Sequence, residues 1–128
     1  AKVAGFSEAT YIGLHAMVLI SQKDGERISI REMAETICVS EAHLAKVVLR
    51  LAHTGLISQQ EARAVLAKKP KEISFLDIVE AIEGPLENSK CVFGKSKCSR
   101  EGCIFGDFLV KMTKEAKEWL RSKTLDEF

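Results

Sequence analysis

The sequence predicts a mainly α-helical domain carrying one small β-hairpin. Three observations do so: several stretches repeat their apolar residues at three- and four-residue steps, serines stand where those stretches begin, and two short apolar runs flank a polar gap. The size agrees, since 128 residues suit one compact unit. At 46% hydrophobic and 29% charged residues, the composition excludes a disordered or fibrous chain. Nineteen Lys and Arg against eighteen Asp and Glu leave a net charge of +1, so any affinity for a polyanion must come from local placement of charge. The nearly uncharged run over residues 4–22 contains Glu8 and His15, is interrupted by Gly13, and has no cationic start or small-residue cleavage site. No membrane span and no export are expected, which points to the cytoplasm.

Ala9, Ile12, Ala16, Leu19 and Ile20 predict an amphipathic first helix over residues 7–22, ended by the turn Lys23-Asp24-Gly25. Ser29 and Glu32 have capping-box spacing and open a second helix that runs to about Ile37. After Cys38 and Val39, Ser40 caps a third helix whose apolar side is Leu44, Val47, Val48 and Leu51, with Gly55 beyond its end. Cys38, between two aliphatic residues, is expected to be buried. Two helices so closely joined, the second with Glu41, His43, Lys46 and Arg50 off its apolar stripe, form either a helix-turn-helix or an ordinary helical hairpin. The runs at 56–58 and 64–66 read as a β-hairpin, and a helix-turn-helix followed by a hairpin is a winged helix. Arg63, Lys68, Lys69 and Lys71 then fall where such a wing meets phosphates.

Ser74 and Asp77 open a fourth helix with Phe75, Ile78, Val79 and Ile82 inside, ended by Gly84-Pro85. Residues 85–103 lack apolar periodicity and hold Cys91, Cys98 and Cys103 in CVFGKSKCSREGC, a loop long enough to imply binding. From residue 104 to 125, Phe105, Phe108, Leu109, Met112, Ala116, Trp119 and Leu120 predict one long helix. Its apolar face packs either on the first helix or, preferably, on a second copy of the chain. The domain plan is therefore 1–84 for the winged helix, 85–103 for the cysteine loop and 104–128 for the dimerisation helix and tail.

Soft thiolates select zinc, copper(I) or an iron-sulfur cluster. Intervals of six and four residues, without a second close pair, fit zinc poorly and a cluster better, and oxidation to a regulatory disulfide stays open. Candidates for a fourth ligand are Asp107, just after the loop, and Glu8, Tyr11 and His15, which share one face of the first helix.

The residues that carry all this also carry a resemblance. ISIREMAETICVSEAHLAKVVLRLAHTGLI, then LAKKPKEISFLDIVEAIEG, then the three cysteines, then FLVKMTKEAKEWLRSKTLDEF, in that order, resemble the Rrf-type winged-helix transcription regulators, which include iron-sulfur sensors of the IscR and NsrR kind. The resemblance implies a homodimer joined through the C-terminal helix, binding double-stranded DNA at a pseudo-palindromic operator. It also implies a 2Fe-2S or 4Fe-4S cluster on Cys91, Cys98 and Cys103 whose state alters DNA affinity in response to redox, nitric oxide or iron. The chain departs from the family pattern in four ways: its cysteines are unevenly spaced, Tyr11 stands at an acidic position, Gly106 stands where IscR-like relatives have a histidine three residues beyond the last cysteine, and the hairpin lacks a long glycine-rich basic tip. Ser40, Glu41, His43 and Lys46 are expected at the bases, with Arg50, Arg63, Lys68 and Lys69 at phosphates. The competing class is a thiol-based or zinc-binding switch or an electron-transfer module acting without DNA. An enzyme is not expected, because no phosphate loop, nucleophile elbow or carboxylate pair is found.

Overall fold

The computed structural model describes residues 5–86, 101–102 and 104–128. In chain order these form α1 (Glu8–Gln22), β1 (Ile28–Ser29), α2 (Ile30–Ile37), α3 (Glu41–His53), β2 (Ile57–Gln60), β3 (Arg63–Leu66), α4 (Phe75–Glu83) and α5 (Phe108–Ser122). Short 3-10 turns at Pro70–Glu72 and Leu125–Glu127 precede α4 and follow α5. The three strands make one antiparallel sheet in the order β1-β3-β2, so the fold is a mostly helical winged helix. Cys91, Cys98 and Cys103, and nearly all of the loop assigned to 85–103, lie outside the described residues.

The serines cap as expected. Ser29 Oγ accepts from the backbone N–H of Glu32 at 3.0 Å, Ser40 Oγ from that of His43 at 3.1 Å, and Ser74 Oγ from that of Asp77 at 3.1 Å. Only Ser74 completes the reciprocal box, its N–H donating to Asp77 Oδ2 at 3.0 Å. Each cap satisfies a donor that a helix start would otherwise leave unpaired.

One core unites α1, α2, α3 and the sheet around Met17, Ile20, Met33, Leu44, Leu51, Ile73 and Ile78, all nearly or fully buried. A smaller cluster of Leu76, Val79 and Leu120 joins α4 to α5.

The structure corrects the sequence reading at four places. A third strand, β1, precedes α2, with Ile28 opposite Ala64 and Ser29 opposite Arg63; two residues carry too little periodicity to announce a strand. The hairpin strands run on to Gln60 and back from Arg63, leaving Glu61 and Ala62 as a two-residue turn with φ of 52° and 59°. Positive φ at both residues matches the twist of a tight hairpin. Cys38 is exposed rather than buried, because it ends α2 in the left-handed conformation (φ 65°, ψ 48°) while its half-buried neighbours Ile37 and Val39 pack inward.

The predicted helix over 104–125 shortens to Phe108–Ser122. Beyond it the chain is drawn against the segment before α4: the Phe75 N–H donates to Lys123 O at 2.8 Å and the Leu125 N–H to Ile73 O at 3.1 Å. Leu125 is thereby fully buried in the main core.

Candidate nucleic-acid interface

The reading unit is α2, the break at Cys38-Val39, and α3. The left-handed Cys38 turns the chain so that Ser40 can start α3. Leu44, Val47, Val48 and Leu51 then fix α3 to the core by its inner face. On the other side Glu41, Ala42, Lys46, Leu49, Arg50 and His53 are exposed and His43 is half-buried. Ala42, Lys46, Leu49 and His53 follow one another at helical steps, forming an outward stripe.

Sequence reasoning passed over Ala42 and Leu49 in that stripe. The signal was available in the spacing, since they stand opposite Leu44, Val47 and Leu51; Leu49 is 51% exposed. Apolar groups on such a stripe suit contact with thymine methyls.

Among the expected base contacts, Ser40 already has its hydroxyl engaged as the α3 cap, which leaves that oxygen able to donate outward. Glu41 lies 3.9 Å from the Arg31 guanidinium, which also reaches Glu35 at 3.5 Å, so an exposed ionic cluster joins α2 to the start of α3. Lys46 is exposed near the middle of the helix. Arg50 is placed differently from the expectation: its Nη1 donates to the Ile82 carbonyl of α4 at 3.0 Å.

The wing is brought beside the reading unit by the sheet. The Ile30 N–H, at the start of α2, donates to Ala62 O of the turn at 2.9 Å, and Arg63 sits opposite Ser29. Arg63 is exposed on β3, while Lys68 and Lys69 are exposed just past the hairpin. The turn itself carries Glu61, so the basic charge lies along the wing's flank and exit and not at its tip.

The remaining fourth-ligand candidates fall on two elements. Glu8 is exposed in the first turn of α1, and Tyr11 is half-buried with its ring edge-on to Phe6 at 6.4 Å. His15 is exposed, and its Nδ1 lies 2.8 Å from the Tyr11 carbonyl oxygen. A carbonyl only accepts, so Nδ1 carries the proton and the Nε2 lone pair is left for a metal or a donor. Asp107 stands before α5, exposed and paired with Lys111 at 3.0 Å. Among the described residues no group of three His, Cys, Asp or Glu is gathered as a metal site. Nor is any helix among them long and apolar enough to cross a membrane.

Known proteins agree with this geometry. The sequence model of the family described as "Rrf2: Iron-dependent Transcriptional regulator" matches residues 6–128. The chain is 28% identical over 119 residues to the HTH-type transcriptional regulator CymR of Bacillus subtilis, covering 90% of this chain and 82% of that protein. The structure of CymR, the global cysteine regulator of B. subtilis, superimposes with a TM-score of 0.76 at 26% identity, over 94% of this chain and 92% of that one. T. potens IscR shares the fold with a TM-score of 0.73 at 23% identity, over 99% and 85%.

Proposed function

This chain belongs to the Rrf2 family of transcriptional regulators, and on that premise we propose that it is a homodimer whose grip on a pseudo-palindromic operator is set by an iron-sulfur cluster at Cys91, Cys98 and Cys103. The observation that carries the reading is α3: capped at Ser40, anchored by four buried aliphatic residues, and exposing a stripe with Lys46 at its centre. A helix presented this way enters the major groove, while Arg63, Lys68 and Lys69 supply phosphate contacts from the wing. Transcriptional control, not catalysis, is the activity of the family.

The donor set suits a cluster. Three thiolates are soft ligands, and His15 adds an imidazole whose other nitrogen is already committed to a backbone carbonyl, the arrangement that orients metal-bound histidines. We assign His15 the fourth position ahead of Tyr11, which packs on Phe6, and Asp107, which pairs with Lys111, with Glu8 as the remaining alternative. A bound cluster would supply a site that changes charge with redox state and is lost to nitric oxide or iron shortage. The chain's own part is to convert a change at the three cysteines, which precede α5 in sequence, into a changed spacing of two reading helices.

Anaerobic purification with visible spectroscopy and iron and sulfide analysis tests the cluster. Titration of operator DNA with and without serine at the three cysteines tests the control. Iron and sulfide in near-equal amounts, with affinity altered by the serines, support the reading. A colourless, iron-free protein with unchanged affinity overturns it.

A second reading keeps the DNA reader and replaces the metal with thiol oxidation. Three cysteines within thirteen residues support it too, since thiols so placed can oxidise to a regulatory disulfide. It predicts a colourless protein whose DNA affinity shifts with oxidant. A module acting without DNA predicts no sequence-specific retardation of any promoter fragment.

A further inference from the structure

The last turn of α4 is held from two sides. From α1, the Ser7 N–H, the Ser7 hydroxyl and the Thr10 hydroxyl donate to one oxygen of Glu83 at 2.8, 2.9 and 2.7 Å. From α3, Arg50 Nη1 donates to the Ile82 carbonyl at 3.0 Å, a bond spanning 32 residues of sequence. The Ile82 side chain fills the notch left by Gly13, where a Cβ would come within 3.2 Å of Ile82 Cγ1 and 3.5 Å of Val47 Cγ1. Ile82 is therefore wedged between α1 and α3, with its carbonyl tied to α3.

Gly84, at φ 85°, ends α4 immediately afterwards, so the Ile82 carbonyl has no helical partner of its own. A guanidinium there satisfies it and places positive charge at the negative end of the helix. Arg50 also lies one turn beyond Lys46 on the reading helix.

We propose that Arg50 is a positioning residue for DNA binding: it sets the reading helix against the end of α4 and does not neutralise a phosphate. A shift at residues 82–84, immediately before the loop at 85–103 that carries Cys91, then reaches α3 through this bond and the packing of Ile82 beside Val47. That consequence rests on the control by the cysteines proposed above; the positioning role does not.

The test uses the full chain with Arg50→Met and Arg50→Lys, titrated with operator DNA over a range of salt. The expected result for Arg50→Met is about tenfold weaker binding with an unchanged slope of log K against log salt, substantially restored by lysine. A slope reduced by about 0.9 for each protomer identifies a phosphate contact and overturns the proposal. Unchanged affinity in Arg50→Met does so too.

Amide exchange in the free protein is the second measurement. Faster exchange at 82–84 in Arg50→Met supports the tie, and unchanged exchange there overturns it whatever the DNA result. Finally, the affinity change caused by serine at the three cysteines should shrink in Arg50→Met. If serine changes nothing in the unsubstituted chain, control by the cysteines fails, while slope and exchange still decide Arg50.

Discussion

α3 and α5 are similar in length, thirteen and fifteen residues, yet they end folding in opposite conditions. The first buries Leu44, Val47, Val48 and Leu51 and turns a mostly polar side outward. The second buries only Leu120 fully and leaves Phe108, Met112 and Trp119 exposed at 55%, 40% and 55%. Water is an adequate partner for the outer side of α3 and a poor one for that of α5. The difference separates a helix finished within one chain from one whose apolar surface is left for a partner, which the proposed homodimer would supply. In the proposed homodimer the unfinished helix would bring two finished ones to one stretch of DNA.

The severest way to break that contrast is to make α5 polar. Phe108→Glu combined with Met112→Glu should give a monomer by sedimentation velocity and weaken operator binding at least a hundredfold, because two linked half-site contacts become independent. A dimer that survives both charges would remove α5 from the interface. Next in size is the tail. Leu125→Ala should cost about 2–5 kcal/mol in urea unfolding, since a fully buried side chain is deleted from the main core. The smallest change falls on the finished helix, where Lys46→Ala should weaken the operator complex about tenfold and leave the melting temperature within about 2 °C. Unaltered binding in a fluorescence titration would take Lys46 off the interface.

Features governed by neighbours in sequence were legible. Ser29, Ser40 and Ser74 cap because a hydroxyl meets an N–H three residues on, and this depends on little else. The buried side of α3 and the exposure of Glu41 and Lys46 followed from spacing alone. What escaped depended on distant partners. β1 exists because Ile28 and Ser29 meet Ala64 and Arg63 more than thirty residues away. Arg50 looked like one more surface cation because its acceptor is a backbone carbonyl, which no residue type announces. Cys38 was misplaced for a conformational reason: its composition suits a core, but a left-handed helix end points it to solvent. Ile104 and Phe105 continue the apolar rhythm of α5 in sequence, yet the helix starts only at Phe108.

The burial of Leu125 also orders events in time. Its slot lies beside α1 and the segment before α4, both of which are synthesised far earlier. On the ribosome, therefore, most of the winged helix emerges with a hole where this leucine belongs and a strand partner missing beside Ile73. Nascent chains should reach their native firmness late, in one step, when the C-terminal segment threads home.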